Sequence, residues 1–493
     1  RFPLTTIGLS VVSAKAGQLD AADHYLAMAE RSARKEDTAL AGDLRVVRIL
    51  LSLYTDRQVS SADLSALEDD LMNRQDMELI HRALALNMLC YNSLTRGALD
   101  RALHYGQLAI HAFRNGNADF GAMHLYTHIG QAAYFNGDCF GAAEAYDQLI
   151  AEAQRNIGKG SDLDAVGQVL NAELLSMNGN EEAAGEALGW ALPHLERHDT
   201  WFDLLAAGFM AEQRILLLKG DQVTAHASID RVHAVARRRS FDRLVRLAEG
   251  ARATLLLASG DVDQAVRYAE ITGLGQRMIR SDKANNLANH ARGTVPALLW
   301  TRIFLALGDP VAARDVFEHL MTTQAQKPNV PRSIELALVE IDLLVAEGRS
   351  HEAAARLGDI VLSSSLTDYG AILRIEGAAF LARLRKLASE QAVSEIILRR
   401  LGQVLGEHWF DGKNLLPGDF SQGKEADDLL TRKERRVVEL LSVGLSNKEI
   451  GRKLDMSDNT VKFHLRNIYS KFNVGTRLAA VNVARNRGVL AER

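Results

Sequence analysis

The sequence predicts an all-α protein in two parts. An α-solenoid of stacked helical hairpins fills residues 1–405, and a small four-helix domain with a helix-turn-helix occupies 429–493 beyond a linker at 406–428. Three observations predict this. Glycines recur about every forty residues with an alanine five places later. Three helix-start signals follow one another closely after Leu430. Charge divides unevenly, with 14 Lys+Arg against 6 Asp+Glu from Leu430 to Arg493, and 44 against 56 in the preceding 429 residues. A small basic domain tied to a large acidic one suits separate nucleic-acid and regulatory duties.

Composition agrees with helices. Leu, Ala, Arg and Glu dominate, with only 7 prolines and 6% aromatics among 493 residues, and those common residues are good helix formers. No apolar run approaches the roughly 20 residues that a membrane span needs. Cys90 and Cys139 match no metal-ligand spacing and are read as reduced, buried thiols of a cytoplasmic protein. Arg1 and the stretch to Ala16 faintly resemble a signal peptide, but Thr5, Thr6 and Ser10 interrupt it, and it is assigned to the first repeat. Because the first residue is not Met, the chain is expected to be a fragment or a processed product.

The repeat is carried by Gly17, Gly97, Gly137, Gly179, Gly220, Gly260, Gly308 and Gly348, with successive gaps of 80, 40, 42, 41, 40, 48 and 40. A degenerate unit phased at Arg57 fills the double gap. Alanine stands five residues after each point: Ala22, Ala62, Ala102, Ala142, Ala184, Ala225, Ala265, Ala313 and Ala353. Each glycine is expected to end a first helix in the left-handed conformation that glycine adopts cheaply. Asp138, Asp221, Asp261 and Asp309 follow directly and suit the N-cap of a second helix. The alanine then sits where the two helices cross, and a large residue often follows four places later (Leu26, Tyr146, Leu188, Ile229, Phe317, Leu357), a habit that Gly106 and Ala269 break. Such hairpins bury both apolar faces only by stacking. The pattern resembles the second helix of a tetratricopeptide repeat, with longer helices; armadillo and HEAT units have similar lengths.

No catalytic constellation and no cofactor site stand out. Ile157-Gly158-Lys159-Gly160-Ser161 lacks the spacing of a phosphate-binding loop. The pairs His124/His128 and His194/His198 lack an accompanying carboxylate or cysteine at motif spacing and are read as surface or packed histidines. Arg237-Arg238-Arg239 is read as a basic run complementing a helix C-terminus. The 48-residue gap adds about eight residues around Gly273–Lys283, including Arg277, Arg280 and Asp282, read as a longer loop on one face. Trp409 and Phe410 are expected to close the last repeat, and the Gly- and Pro-containing stretch after them to tether the terminal domain.

In that domain, Thr431/Glu434 and Ser446/Glu449 are spaced as capping boxes and Ser457 as an N-cap. Val437, Val438, Leu440 and Leu441 mark the apolar face of the first helix, and Ile450 and Leu454 that of the second. Val461, Leu465, Ile468 and Phe472 point the third inward, leaving Thr460, Lys462, Phe463, Arg466 and Asn467 outward. A short helix, a tight turn and a helix presenting cationic and donor groups form a helix-turn-helix able to enter a major groove. A solvated face of a small bundle would use the same residue types.

The strings Ser446-Asn447-Lys448-Glu449-Ile450 and Thr460-Val461-Lys462-x-His464-Leu465-x-Asn467-Ile468-Tyr469-x-Lys471 strongly resemble the LuxR-type DNA-binding domain. The resemblance implies a four-helix domain that binds double-stranded DNA, usually as a homodimer. Its DNA-contacting positions fall here on Asn447, Lys448, Thr460, Lys462, Phe463, Arg466, Asn467 and Lys471, and its dimer contact on Thr476–Arg487. Two departures stand out: Gly451 replaces the usual Ala and would loosen the second helix, and Thr476-Arg477-Leu478-Ala479 departs from the common dimer-helix start. A helical-repeat array before this domain resembles the MalT-like regulators, which usually begin with a nucleotide-hydrolysing switch domain. No such domain stands in these residues, so the expectation is either that it has been lost from the fragment or that this member senses without nucleotide. The expected function is a transcription regulator, an activator rather than a repressor, recruiting RNA polymerase while its solenoid binds an inducer or protein partner. The alternative is an interaction scaffold with a DNA-localising terminus.

Overall fold

The structure is a computed structural model. It describes residues 3–405 and 432–486, except 16–17, 33–37, 55, 58, 74–76, 199, 325–326, 364–365, 367, 391–392, 444, 455, 457–460, 462–463, 466–467, 470–471, 473 and 475–476. The chain divides into two compact units, Arg1–Gly406 and Glu407–Arg493. The linker residues, Trp409 and Phe410 lie outside the described residues.

The first unit is an array of antiparallel helical hairpins, and no strand occurs among the described residues. Leu79–Thr95 pairs with Leu99–Asn115, Asp119–Phe135 with Cys139–Asn156, Asp162–Met177 with Glu181–Arg197, and Phe202–Leu218 with Gln222–Arg239. Asp242–Ala258 with Val262–Ile271, Pro296–Ala306 with Pro310–Thr323, and Val330–Ala346 with Ser350–Leu362 continue the series. The first helix, Pro3–Lys15, already belongs to a hairpin, and the Ser10 hydroxyl donates 2.6 Å to the Ala22 carbonyl on its partner.

The hairpin turns form for the expected reasons. Gly97, Gly137, Gly179, Gly220, Gly260, Gly308 and Gly348 all have φ between 71 and 93°, a region closed to most side chains. Asp138, Asp221, Asp261 and Asp309 each accept a backbone N–H three residues on, at 3.0–3.1 Å. The crossing alanines Ala22, Ala102, Ala142, Ala184, Ala225, Ala265, Ala313 and Ala353 are completely buried. The large residues that follow are buried too, each stabilising its hairpin by roughly 1.5–3 kcal/mol. Gly106 departs from that habit because Ile129 of the next helix lies against it, 2.6 Å from where a Cβ would stand.

One register assignment needs correction. In the degenerate unit the left-handed residue is Asp56 (φ 54°), not Arg57, and the helix is capped later, at Ser60, whose hydroxyl accepts the Asp63 N–H at 3.0 Å. The longer turn shifts the register by two residues. Leu64, four residues past the cap, takes the crossing position that alanine fills elsewhere, and Ala62 is exposed.

The additional residues before Pro296 form the longer loop expected of them, but one that buries part of its own side chains. The helix Val262–Ile271 is only 10 residues long, and the chain from 272 to 295 runs through a short 3-10 turn, Gln276–Met278. Leu274, Ile279, Ala284 and Leu287 are buried. Asn285 organises the segment: its amide donates to the carbonyls of Met278, Ile279 and Ser281 at 2.8–2.9 Å, and its side-chain oxygen accepts the Ala297 N–H at 2.8 Å. These bonds satisfy backbone groups that an irregular buried segment would otherwise strand.

The segment ends on the first helices of distant hairpins. Arg292 reaches Glu173 and Gln131, and Arg332 donates to the carbonyls of His290 (2.9 Å) and Gly293 (2.5 Å). Further along, the buried Tyr369 hydroxyl donates to the Tyr134 carbonyl, 235 residues away, and Arg374 pairs with Glu181 at 2.6 Å. The array therefore curls until late hairpins touch early ones, with residues 272–295 packed against its inner helices.

Candidate nucleic-acid interface and the interior of the array

In the second unit the first helix, Arg432–Ser442, buries Val437, Val438 and Leu441, with Leu440 half-buried. The second, Asn447–Leu454, opens with a complete capping box. The Glu449 carboxylate accepts the Ser446 N–H at 2.8 Å and its hydroxyl at 2.7 Å, while the Glu449 N–H donates to the Ser446 oxygen at 3.4 Å. Those Ser446 bonds, with the nearby cations Arg452 and Lys453, hold the Glu449 carboxyl below its ordinary range. Thr431 and Ser457 lie outside the described residues.

The turn after this helix is tight at Gly451, which is buried; its carbonyl accepts the Met456 N–H at 2.9 Å. A Cβ there would stand 2.7 Å from the Met456 carbonyl oxygen. Gly451 is thus more than a loosening substitution, because it permits the close approach of helix and turn. The described residues between 461 and 472 are helical. Val461, Leu465, Ile468 and Phe472 are all buried, so the 4, 3, 4 spacing does face inward. The last helix, Arg477–Asn486, buries Ala480, Val481 and Ala484, and the Arg477 guanidinium donates to the Leu445 carbonyl. Arg477 therefore serves the domain's own packing.

Of the sequence-derived DNA-contacting residues, Asn447 is half-buried and Lys448 exposed, both on the first turn of the second helix. Arg452 and Lys453, which the sequence reading did not single out, are exposed on its last turn. Thr460, Lys462, Phe463, Arg466, Asn467 and Lys471 lie outside the described residues.

Inside the first unit, polar side chains meet across long sequence separations. Arg243 Nε lies 2.5 Å from Asp56 Oδ1, its guanidinium is stacked 3.9 Å from the Phe202 ring centroid, and Tyr91 donates 3.0 Å to Asp203 beside it. Burial raises the Asp56 carboxyl, a shift that Arg243 opposes. Burial likewise works against the Arg243 charge, but Asp203, Tyr91 and Asp56 together hold it above its ordinary range. A cavity of about 540 Å³ opens next to this pair, walled by Tyr91, Arg96, Arg243, Asn289, Lys327 and Asn329 among others.

The residues read as non-catalytic fall into different environments. His128 is buried against Tyr91 and Trp201, and burial lowers it to about 4. Asp164 accepts the Gly160 N–H at 2.8 Å, so a carboxylate occupies the anion position of the Gly158–Gly160 turn. Arg239 donates to the Glu196 and His198 carbonyls at 3.2 and 2.5 Å and closes the preceding hairpin. His194, by contrast, gains a carboxylate: Asp162, 32 residues upstream, lies 2.7 Å from its Nε2. Cys90 is buried, with its thiol pushed well up by that burial, whereas Cys139 is only half-buried; neither forms a disulfide.

No helix among the described residues is long and apolar enough to cross a membrane. Residues 428–484 match the family model of bacterial regulatory proteins of the luxR family. The chain is 24% identical over 365 residues to the HTH-type transcriptional regulator MalT of Vibrio cholerae, a match covering 69% of this chain and 39% of that protein. Over 67 residues, 14% of this chain and 31% of the relative, it is 40% identical to the CsgBAC operon transcriptional regulatory protein of Escherichia coli. The chain thus spans well under half the length of the curated relatives it matches. In fold it is similar to a Rap protein whose crystal structure was solved in complex with Competence and Sporulation Factor, with a TM-score of 0.50, 14% identity, and coverage of 79% of this chain and 99% of that one. The repeat array is a tetratricopeptide-like α-solenoid, and residues 428–484 form a luxR-family helix-turn-helix domain in a chain homologous to MalT-like transcriptional regulators.

Proposed function

We propose that the chain is a sequence-specific, DNA-binding transcription regulator, an activator, whose repeat array governs the terminal domain in response to an inducer or protein partner. The observation that carries this reading is the luxR-family match at 428–484, over a segment in which Val461, Leu465, Ile468 and Phe472 are buried at the spacing of one helix face. Among the positions that the luxR resemblance assigns to DNA contact, Lys462 and Arg466 are residue types suited to guanine edges and phosphates, and Asn467 to adenine. Lys448 and Asn447, at a helix N-terminus, are suited to phosphate contact. The domain works as a homodimer on double-stranded DNA in the cytoplasm and recruits RNA polymerase. The 540 Å³ cavity, with its arginine, lysine and asparagine walls, supports a polar inducer bound to the array.

The test uses the full chain and its promoter DNA in fluorescence anisotropy across 50–200 mM salt. With six or more phosphates neutralised, affinity should fall by roughly 10³-fold or more over that range. Lys462→Ala and Arg466→Ala should each weaken binding by about 1–3 kcal/mol, or roughly 5- to 150-fold. Affinity indifferent to salt and to both substitutions would reject the reading. Deleting the array should abolish induction while leaving DNA affinity intact; loss of partners with transcription unchanged would instead identify a scaffold.

A further inference from the structure

We propose that Asp162, His194 and His198 form a binding site for a divalent first-row transition ion, at the open end of the hairpin whose closed end is Gly179. Asp162 is the first residue of the helix Asp162–Met177, and His194 lies in the last turn of its partner Glu181–Arg197, with His198 at that helix's C-cap. Spacing of i,i+4 puts two side chains on one helix face, and here the two imidazoles stack, with centroids 4.2 Å apart and planes 14° apart. Asp162 Oδ1 is 2.7 Å from His194 Nε2, and one ligand atom from each of the three residues lies within 4.8 Å of the others.

That spacing is what an ion needs. Zinc bonds of about 2.0–2.2 Å to nitrogen and oxygen, held tetrahedrally, set donors roughly 3.4 Å apart. The Asp162–His194 contact at 2.7 Å is closer than that and all three donors lie within 4.8 Å of one another, so an ion would be seated by side-chain rotation that replaces the hydrogen bond. Two imidazoles with one carboxylate select zinc, cobalt, nickel or copper over magnesium or calcium, which prefer oxygen ligands. With Asp162 and His198 exposed, a fourth position would be left to water.

The backbone on both sides is fixed before any ion arrives. Arg239 holds the Glu196 and His198 carbonyls, and Ser161 caps the helix that begins with Asp162, its hydroxyl accepting the Asp164 N–H at 3.4 Å. The site is reachable, because the Asp162 side chain is 51% exposed and that of His194 21%. Trp190, one turn before His194, lies edge-to-face with its imidazole, the ring centroids 6.3 Å apart, and supplies an optical reporter. Since the ion would join the start of the first helix to the end of the second, it would fasten the hairpin.

The test is isothermal titration of Zn²⁺ into the full chain after dialysis against a chelator, with Co²⁺ absorption to read coordination and Trp190 quenching by Cu²⁺. The proposal expects one saturating ion per chain, a raised melting temperature, and a loss of affinity of more than ~10-fold in Asp162→Asn. Binding should vanish in the His194→Ala/His198→Ala double variant. Asp162→Asn is nearly isosteric on an exposed position, which keeps the comparison valid should the double variant unfold. Unchanged zinc affinity in Asp162→Asn, or no saturable binding by the parent chain, would overturn the proposal.

Discussion

Arg292 and Glu173, 119 residues apart, meet inside the repeat array in a bidentate pair, with Nε to Oε1 at 2.6 Å and Nη2 to Oε2 at 2.8 Å. The same guanidinium donates 2.9 Å to Gln131 Oε1 and lies 4.7 Å from the Phe135 ring centroid. Burial works against its charge, but the Glu173 carboxylate more than offsets this and holds Arg292 above its ordinary range. Both side chains are almost fully buried, so removing one leaves the other uncompensated. Arg292→Met should therefore destabilise the array by about 3–5 kcal/mol, whereas Arg292→Met with Glu173→Gln should recover most of the loss. Urea unfolding of the two variants measures the difference, and equal losses would show that packing of the segment, not charge, sets the cost.

Gly451→Ala separates local propensity from tertiary geometry. Propensity alone says that alanine in a helix is better than glycine by up to about 1 kcal/mol. The Met456 carbonyl, 2.7 Å from the added Cβ, says the opposite, because backbone has to move. Overpacking of this kind costs about 1–3 kcal/mol. The variant should melt below the parent and bind DNA more weakly, since the turn sets the third helix against the second. A stabilised variant with unchanged DNA affinity would refute this.

Acid should loosen the array through two histidines. Burial lowers His128 to about 4, and burial together with Arg246, Arg243 and Arg332 lowers His290 to about 4. An unfolded histidine titrates near 6.5, so below that pH the unfolded chain binds more protons and the folded state loses stability. The loss accumulates as pH falls from about 6.5 to about 4 and amounts to at most ~3 kcal/mol for His128. In melts between pH 7 and 4, His128→Phe should flatten the pH slope; an unaltered slope would assign it to other groups.

What the sequence makes legible follows the range of the interactions. Left-handed glycines, aspartate caps and crossing alanines act within a few residues, so a forty-residue period suffices to place them. The inward stripe Val461, Leu465, Ile468 and Phe472 is equally local. Residues 272–295 were not legible as an inner layer, because Glu173, Gln131 and Arg332, which hold the segment, lie 39 to 161 positions from their partners. Asp162 is not legible beside His194 for the same reason: adjacent helices bring it there, and motif spacing does not. In the terminal domain the core positions were readable, while Thr460, Lys462, Phe463, Arg466, Asn467 and Lys471 remain expectations of the resemblance.

The shifted register of the degenerate unit makes a final comparison possible. Ala184 sits completely buried where two helices cross, so Ala184→Leu has to push them apart and should cost about 1–3 kcal/mol. Ala62 occupies the same place in the glycine count but is exposed, because the turn from Asp56 to the Ser60 cap is longer. Ala62→Leu should then change stability by no more than about 0.5 kcal/mol. Leu64 holds the equivalent crossing position at 9% exposure, and Leu64→Ala should cost roughly 2–5 kcal/mol, toward the lower end because the side chain is not wholly enclosed. Urea melts of the three variants rank them, and an Ala62→Leu loss as large as that of Ala184→Leu would return the unit to the phase that its neighbours keep.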